Sequence, residues 1–217
     1  MSQFVIIPAY NEEKYLSQVI QKAKHHSSNI VVVDDGSSDN TYNLATQTGV
    51  TVIHHATNLG KGAALKTGCD YACRKGASKI VVLDADTQHD PDLIPEFASK
   101  LPEYDIIFGY RQLSKNMPSI LRFGNQVINS ITSFLYGFQL KDTQCGYRAF
   151  TCEAYYKIRW QALDYCMESE MIARAGKHKL KYTQIPIQTI YADKYKGTTV
   201  IDGIKIVLKL ITWRLSK

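Results

Sequence analysis

Residues 30–39 read Ile-Val-Val-Val-Asp-Asp-Gly-Ser-Ser-Asp, a short β-branched run that stops at two adjacent carboxylates, a glycine and two hydroxyls. The run predicts a strand, Ile30–Val33, and its polar end predicts a turn that carries chemistry. The same grammar recurs to either side. Phe4–Ile7 ends in Pro8-Ala9-Tyr10-Asn11-Glu12, Lys79–Leu83 ends in Asp84-Ala85-Asp86-Thr87-Gln88, and Val50–Ile53 and Ile106–Phe108 complete five predicted strands. Amphipathic segments around residues 13–26, 39–48, 61–75 and 91–101 separate them. This order predicts an α/β fold with a mainly parallel central sheet and helices on both faces. In such a sheet ligands bind beyond the carboxyl ends of the strands, so three polar clusters at three strand ends predict one site. The second half is less regular, with helix-like stretches near 118–136 and 168–177 and an amphipathic segment at 200–217.

The 217 residues suit a single domain, and 45% hydrophobic with 21% charged residues is an ordinary globular balance. No repeat or linker-like composition marks a second unit. Lys and Arg number 14 before residue 151 and 12 after it, against 14 and 6 for Asp and Glu, so the whole net charge of +6 lies in residues 151–217. A basic last third predicts an anionic partner there: phosphate-bearing lipid, membrane surface or nucleic acid. A solvated basic face reads equally well. The five cysteines are odd in number and lack CxxC spacing, which predicts neither a disulfide framework nor a zinc site and fits a reducing cytoplasm. Neither a secretory signal nor a run of about 18 uncharged apolar residues is legible.

Asp84, Asp86 and Gln88 place three hard oxygen donors at a strand end, a set suited to Mg²⁺ or Mn²⁺. The alternative is that Asp86 and Asp90 only turn the chain and cap the helix that follows Pro91. Asp34-Asp35-Gly36 also reads as a turn, yet two packed carboxylates are costly unless cations or hydroxyls meet them. His54 and His55 read as polar strand-end residues more readily than as ligands, and His89 stands beside the acidic cluster. Asn58-Leu59-Gly60-Lys61-Gly62 opens a helix with two glycines around a lysine, which predicts backbone N–H groups offered to a diphosphate. The turn lacks P-loop spacing, and no GxGxxG follows the first strand, which demotes a kinase-like ATPase and a dehydrogenase.

Taken together, Pro8-Ala9-Tyr10-Asn11-Glu12, Asp34-Asp35-Gly36-Ser37-Ser38-Asp39, Asn58-Leu59-Gly60-Lys61-Gly62 and Asp84-Ala85-Asp86 resemble, in order and spacing, glycosyltransferase family 2 with its GT-A fold. The run from Asp84 to Pro91, and Asp142-Thr143-Gln144-Cys145-Gly146-Tyr147-Arg148-Ala149-Phe150, resemble the subgroup of dolichyl- or polyprenyl-phosphate mannose and glucose synthases. The resemblance implies that Pro8, Ala9, Tyr10, Glu12 and Asp35 contact the nucleoside and that Lys61 shapes the pocket. It implies that Asp84, Asp86 and Gln88 surround Mg²⁺ or Mn²⁺ and a diphosphate. Arg111 and Arg122 match arginines that meet donor or acceptor phosphates. Lys194, in Tyr191-Ala192-Asp193-Lys194, stands where the subgroup carries arginine, keeping the charge and losing the bidentate fork.

The implied reaction is an inverting transfer of mannose or glucose from a GDP- or UDP-hexose to a polyprenyl phosphate. Residues 1–110 form the donor half, residues 111–199 the acceptor half, and the 200–217 helix lies on the cytoplasmic face of a membrane. A phosphate acceptor is already ionised near pH 7 and needs cations more than a base. A hydroxyl acceptor, as on a growing glycan, needs a base, for which Asp142, Glu168 and Glu170 are candidates. A sugar nucleotidyltransferase and a nucleic-acid-binding module are the rival classes. The first lacks its glycine-rich turn here, and the second leaves three carboxylate clusters without a role. In the last segment Ile201, Ile204, Val207, Leu208, Ile211 and Leu215 recur at helical steps, a stripe suited to a membrane surface, a core or a dimer.

Overall fold

A computed structural model describes residues 2–111, 119–164, 166–188 and 200–215, without the side chains of residues 119–123, 125 and 200–202. Arg122, whose backbone lies in a helix, and Lys194 therefore fall outside what the structure describes of side chains.

The five predicted strands form as β1 (Ser2–Ala9), β2 (Ile30–Asp34), β3 (Thr51–His54), β4 (Ala77–Val82) and β5 (Ile106–Arg111). Two more appear, β6 (Arg148–Thr151) and β7 (Tyr182–Ile187). The sheet runs β3-β2-β1-β4-β6-β5-β7. Only β6 is antiparallel to its neighbours: Val82 faces Arg148 on one side of it and Phe108 faces the same residue on the other. β7 lies at the sheet edge, the place where its Pro186 costs no ladder hydrogen bond.

Between the strands lie α1 (Leu16–Lys24), α2 (Thr41–Gln47), α3 (Lys61–Arg74), α4 (Ile94–Lys100), α5 (Ser119–Tyr136), α6 (Cys152–Ile158) and α7 (Met167–Lys177), and α8 (Val200–Leu215) follows β7. Alternation along the strands splits the core in two. Phe4, Ile6, Val31, Val33, Ile80 and Phe108 face α3, α6 and α7. Val5, Ile7, Val32, Val81 and Ile107 face α1, α2 and α4. Each buried side chain of this kind contributes about 1.5–3 kcal/mol. A third cluster joins α5, α7 and α8 through Ile128, Tyr136, Ala173, Ile206 and Leu210.

The α8 stripe read from the sequence divides: Val207 packs against this cluster, Ile204, Leu208, Ile211 and Leu215 are exposed, Ile201 lies outside the described side chains, and Ile206 and Leu210, outside the stripe, are fully buried. Among the described residues no helix is long and apolar enough to cross a membrane. Cysteine usage departs from expectation. Cys73 at the end of α3 is bonded to Cys152 at the start of α6, with Cα atoms 5.9 Å apart, while Cys69, Cys145 and Cys166 are free and buried. The partners are 79 residues apart in sequence, a separation with no signature of pairing.

Helix α3 approaches β1 and β2 at Gly68, where an added Cβ would lie 2.4 Å from Ile6 Cγ2 and 3.1 Å from Val33 Cγ2. Gly68→Val is expected to cost about 1–3 kcal/mol of overpacking. By circular dichroism that is a fall in Tm of roughly 2–10 °C; an unchanged Tm contradicts the close helix–sheet contact.

Candidate functional site

The turns after β1 and β2 are fastened to each other. Asn11 N–H donates to Ser37 Oγ (2.9 Å), Ser38 N–H donates to Asn11 Oδ1 (2.9 Å), and Glu12 N–H donates to Thr41 Oγ1 (2.8 Å). Asn11 takes a left-handed φ of 54°, which an asparagine tolerates. Pro8 and Ala9 are buried at the end of β1, while the Tyr10 ring is 45% exposed above them.

Asp34 and Asp35 are both buried, and their cost is met inside the protein. Asp34 accepts from the Ser37 hydroxyl and pairs with His54 Nδ1 at 2.6 Å. Asp35 pairs with His55 Nδ1 at 2.7 Å and accepts the N–H groups of Leu59 (3.1 Å) and Gly60 (2.8 Å). The two histidines are thus partners of carboxylates.

These bonds overturn the reading of the 58–62 turn as a diphosphate cradle. The Leu59 and Gly60 N–H groups go to Asp35, and the Gly62 N–H goes to Leu163 O at 2.8 Å. Its glycines serve close packing. Gly60 has φ 96°, and an added Cβ at Gly60 or Gly62 would come within 2.3 Å of the carbonyls of Leu163 or Ala162. Trp160 Nε1–H, fully buried, donates to Gly62 O at 2.8 Å and pins the turn.

Lys61 projects from this turn into the acidic cluster. Its Nζ stands 2.8 Å from Asp84 Oδ1 and 3.1 Å from Glu168 Oε1, which joins the start of α3, the end of β4 and the start of α7. Burial works against the ammonium, but Asp84 and Glu168 raise its pKa above the ordinary lysine value. Burial likewise works against ionised Asp84, and Lys61 holds it below the usual carboxylate range. Gly146 leaves the room: a Cβ there would sit 2.8 Å from Asp84 Oδ2 and 2.9 Å from Lys61 Nζ. Glu168 Oε2 is buried without a hydrogen-bond partner among the described residues.

Asp86 Oδ1 accepts the Gln88 N–H at 3.0 Å, and Thr87 between them takes a left-handed φ of 65°. A β-branched residue rarely adopts that conformation, and such strain gathers at ligand sites. The capping alternative holds for Asp90, whose side chain accepts the Asp92 N–H and heads a 3-10 turn at Pro91–Leu93; Asp86 caps no helix. His89 Nδ1 accepts the Asp84 N–H at 3.1 Å, which places its proton on Nε2, and burial lowers its pKa so that the ring is neutral.

No group of three or more His, Cys, Asp or Glu gathers for a metal among the described residues. The two carboxylates and the amide of Asp84, Asp86 and Gln88 nevertheless suit an ion such as Mg²⁺, which takes one or two carboxylates from protein and the rest of its oxygens from phosphate and water.

Across the cluster, Arg111 at the end of β5 makes a two-pronged pair with Asp142, Nε to Oδ2 at 2.6 Å and Nη2 to Oδ1 at 3.1 Å. Asp142 is buried, which disfavours its charge, yet Arg111 holds it below the usual carboxylate range. Glu170 receives the N–H groups of Gln161 and Ala162 and the Arg174 Nε at 2.7 Å, a structural assignment.

Two residues of the site were quoted in the sequence without being given a role: Gly146, for the space it leaves, and Arg148. Arg148 is 1% exposed, and its guanidinium donates to the carbonyls of Thr143, Cys145 and Glu168 at 2.9–3.0 Å. A cavity of about 580 Å³ at the opposite end of the sheet, lined by Lys24, Asn29, Thr51 and Lys75, contains none of these carboxylates.

The family model of glycosyl transferase family 2 matches residues 4–159. The chain is 34% identical to a UDP-N-acetylglucosamine–dolichyl-phosphate N-acetylglucosaminyltransferase of Methanococcus voltae, over 99% of this chain and 96% of that one. It is 30% identical to the polyprenol monophosphomannose synthase of Mycolicibacterium smegmatis, over 96% and 85%. The fold matches the crystal structure of glucosyl-3-phosphoglycerate synthase from Mycobacterium tuberculosis, bound to Mn²⁺, UDP and glucosyl-3-phosphoglycerate, with a TM-score of 0.75 and 16% identity over 99% of this chain and 79% of that one.

Asp84 and Asp142 carry a pH signature. A carboxylate whose folded pKa is depressed lends stability that is complete above its unfolded value, about 3.9, and is lost as pH falls through the folded value. Melts are expected to feel nothing from these groups between about pH 7 and 5, and to lose stability below about pH 4. Asp142→Asn should remove part of that acid-side slope; an unchanged slope contradicts the Arg111 pairing.

Proposed function

This chain belongs to glycosyltransferase family 2, and from that premise we propose that it transfers a hexose from a nucleotide diphosphate sugar to a polyprenyl phosphate. One observation carries the choice of acceptor: each carboxylate that was a candidate base is already engaged. Asp142 is clamped by Arg111, Glu170 is committed to two backbone N–H groups and Arg174, and Glu168 faces the Lys61 ammonium. A hydroxyl acceptor needs a base to take its proton. A phosphate monoester, with a second pKa near 6, arrives ionised and needs none.

In this reading residues 1–110 form the donor half, where Tyr10 offers an exposed ring for the base, with Pro8, Ala9, Glu12 and Asp35 around the nucleoside. Asp84, Asp86 and Gln88 hold Mg²⁺ or Mn²⁺, which neutralises charge on the diphosphate leaving group. Arg111, kept in one orientation by Asp142, faces phosphate, with Arg122 and Lys194 on the acceptor side. The relatives named above differ in their sugar, so the proposed hexose, mannose or glucose, is the part most open to a donor panel.

GDP-mannose, UDP-glucose and UDP-N-acetylglucosamine, each offered to a polyprenyl phosphate and to the matching polyprenol, provide the test. Transfer is expected to the phosphate alone, to stop with chelator, and to fall roughly 100-fold in Asp86→Ala. Equal transfer to the alcohol overturns the acceptor, and chelator-resistant activity removes the metal.

We place the enzyme peripherally on the cytoplasmic face of a membrane, through α8. Supporting this, Ile204, Leu208, Ile211 and Leu215 form an exposed apolar stripe opposite the buried Ile206 and Leu210, flanked by Lys205 and Arg214. Because the stripe is outside the core, Leu208→Glu with Leu215→Glu should leave Tm unchanged while abolishing flotation with anionic vesicles. Undiminished flotation would show that α8 is not the contact.

A further inference from the structure

We propose that Lys61 is the resident counter-cation of Asp84, which a divalent ion must displace, and that Glu168 is the positioning residue that receives the displaced ammonium. The proposal rests on the reading of Asp84, Asp86 and Gln88 as the metal site, and deepens it.

Three observations carry it. First, the Lys61 ammonium bridges two carboxylates, 2.8 Å from Asp84 Oδ1 and 3.1 Å from Glu168 Oε1. An ion on Asp84 Oδ1 and the ammonium on that same oxygen would lie within a few ångströms of each other and repel, so at that oxygen the two are alternatives. Second, Glu168 has an acceptor in reserve. Its side chain is 5% exposed, and Oε2 lacks a hydrogen-bond partner among the described residues. An orphaned buried carboxylate oxygen is expensive, and an ammonium that leaves Asp84 satisfies it by moving fully onto Glu168. Third, both groups lie against the Gly146 backbone, where an added Cβ would press on Asp84 Oδ2 and Lys61 Nζ at under 3.0 Å, so only glycine lets the pair stand there.

The exchange moves one cation by a side-chain rotation and breaks no covalent bond. Before the ion binds, Lys61 neutralises Asp84; afterwards Glu168 neutralises Lys61. Glu168 itself is anchored through its backbone, whose carbonyl accepts from Arg148 Nη1 at 2.9 Å, so replacing the side chain leaves that contact in place.

The test is Mn²⁺ alone, titrated into the whole protein without nucleotide, with free Mn²⁺ followed by electron paramagnetic resonance. Far-UV circular dichroism checks the fold of every variant, and Lys61→Gln serves should Lys61→Met not fold. Removing the competitor, Lys61→Met is expected to bind Mn²⁺ about tenfold more tightly than the parent, and Glu168→Gln, leaving the ammonium on Asp84, about tenfold more weakly. The double variant should bind like Lys61→Met, because Glu168 acts only through Lys61. Equal or weaker binding by Lys61→Met, or no binding by either it or the parent, overturns the proposal. So does a loss in Glu168→Gln that persists in the Lys61→Met background, which would make Glu168 a ligand. Mn²⁺ binding left intact by Asp86→Ala overturns instead the metal reading beneath it, a result that the Lys61 and Glu168 variants cannot mimic.

Discussion

A guanidinium buried under the sheet organises the site. Arg148 is 1% exposed and among the described residues meets no carboxylate within hydrogen-bond distance; three backbone carbonyls, of Thr143, Cys145 and Glu168, accept from it, and the Phe108 ring lies 5.2 Å away. A buried charge is tolerated only when its hydrogen bonds are complete, so those carbonyls have little freedom to move. They fix the loop that carries Asp142 and Gly146 against the first turn of α7, which carries Glu168. The Asp84, Lys61 and Glu168 contacts are the outcome of that constraint.

Around this anchor most strand-end polar groups are partnered within the protein. Asp35 ties the end of β2 to the turn before α3, His54 and His55 close the ends of both carboxylates of β2, and Arg111 clamps Asp142. Such closure preorganises what remains open: the Tyr10 ring, the Asp86–Gln88 turn and the reserve oxygen of Glu168. A glycosyl transfer requires its two reactants held in a fixed mutual orientation, and rigid surroundings of this type supply that.

The part of the structure legible in the sequence is the part written in uninterrupted β-branched runs. β1 to β5 were readable because runs such as Ile30–Val33 are buried on both faces. β6, Arg-Ala-Phe-Thr, and β7, with Gln184 and Pro186, carry no such run, since one is four residues long and the other is an edge strand. At the site, the acidic turns were visible because carboxylates cluster in sequence. Their partners were not: Lys61 meets Glu168, and Cys73 meets Cys152, only through the packing of α3 against α6 and α7. The glycines of residues 60 and 62 were misread for the same reason, because the carbonyls they make room for lie a hundred residues onward.

The antiparallel strand has a consequence for how the chain is made. β6 lies between β4 and β5, so β5 cannot dock on β4 when it leaves the ribosome. Until Arg148–Thr151 has been synthesised, the Ile80–Val82 edge of β4 lacks the strand that pairs with it in the folded chain. An exposed apolar edge of that kind is where nascent chains pair wrongly. The strand that covers it also brings the Arg148 guanidinium, so one step pairs the β4 edge and supplies the group that later holds Thr143, Cys145 and Glu168.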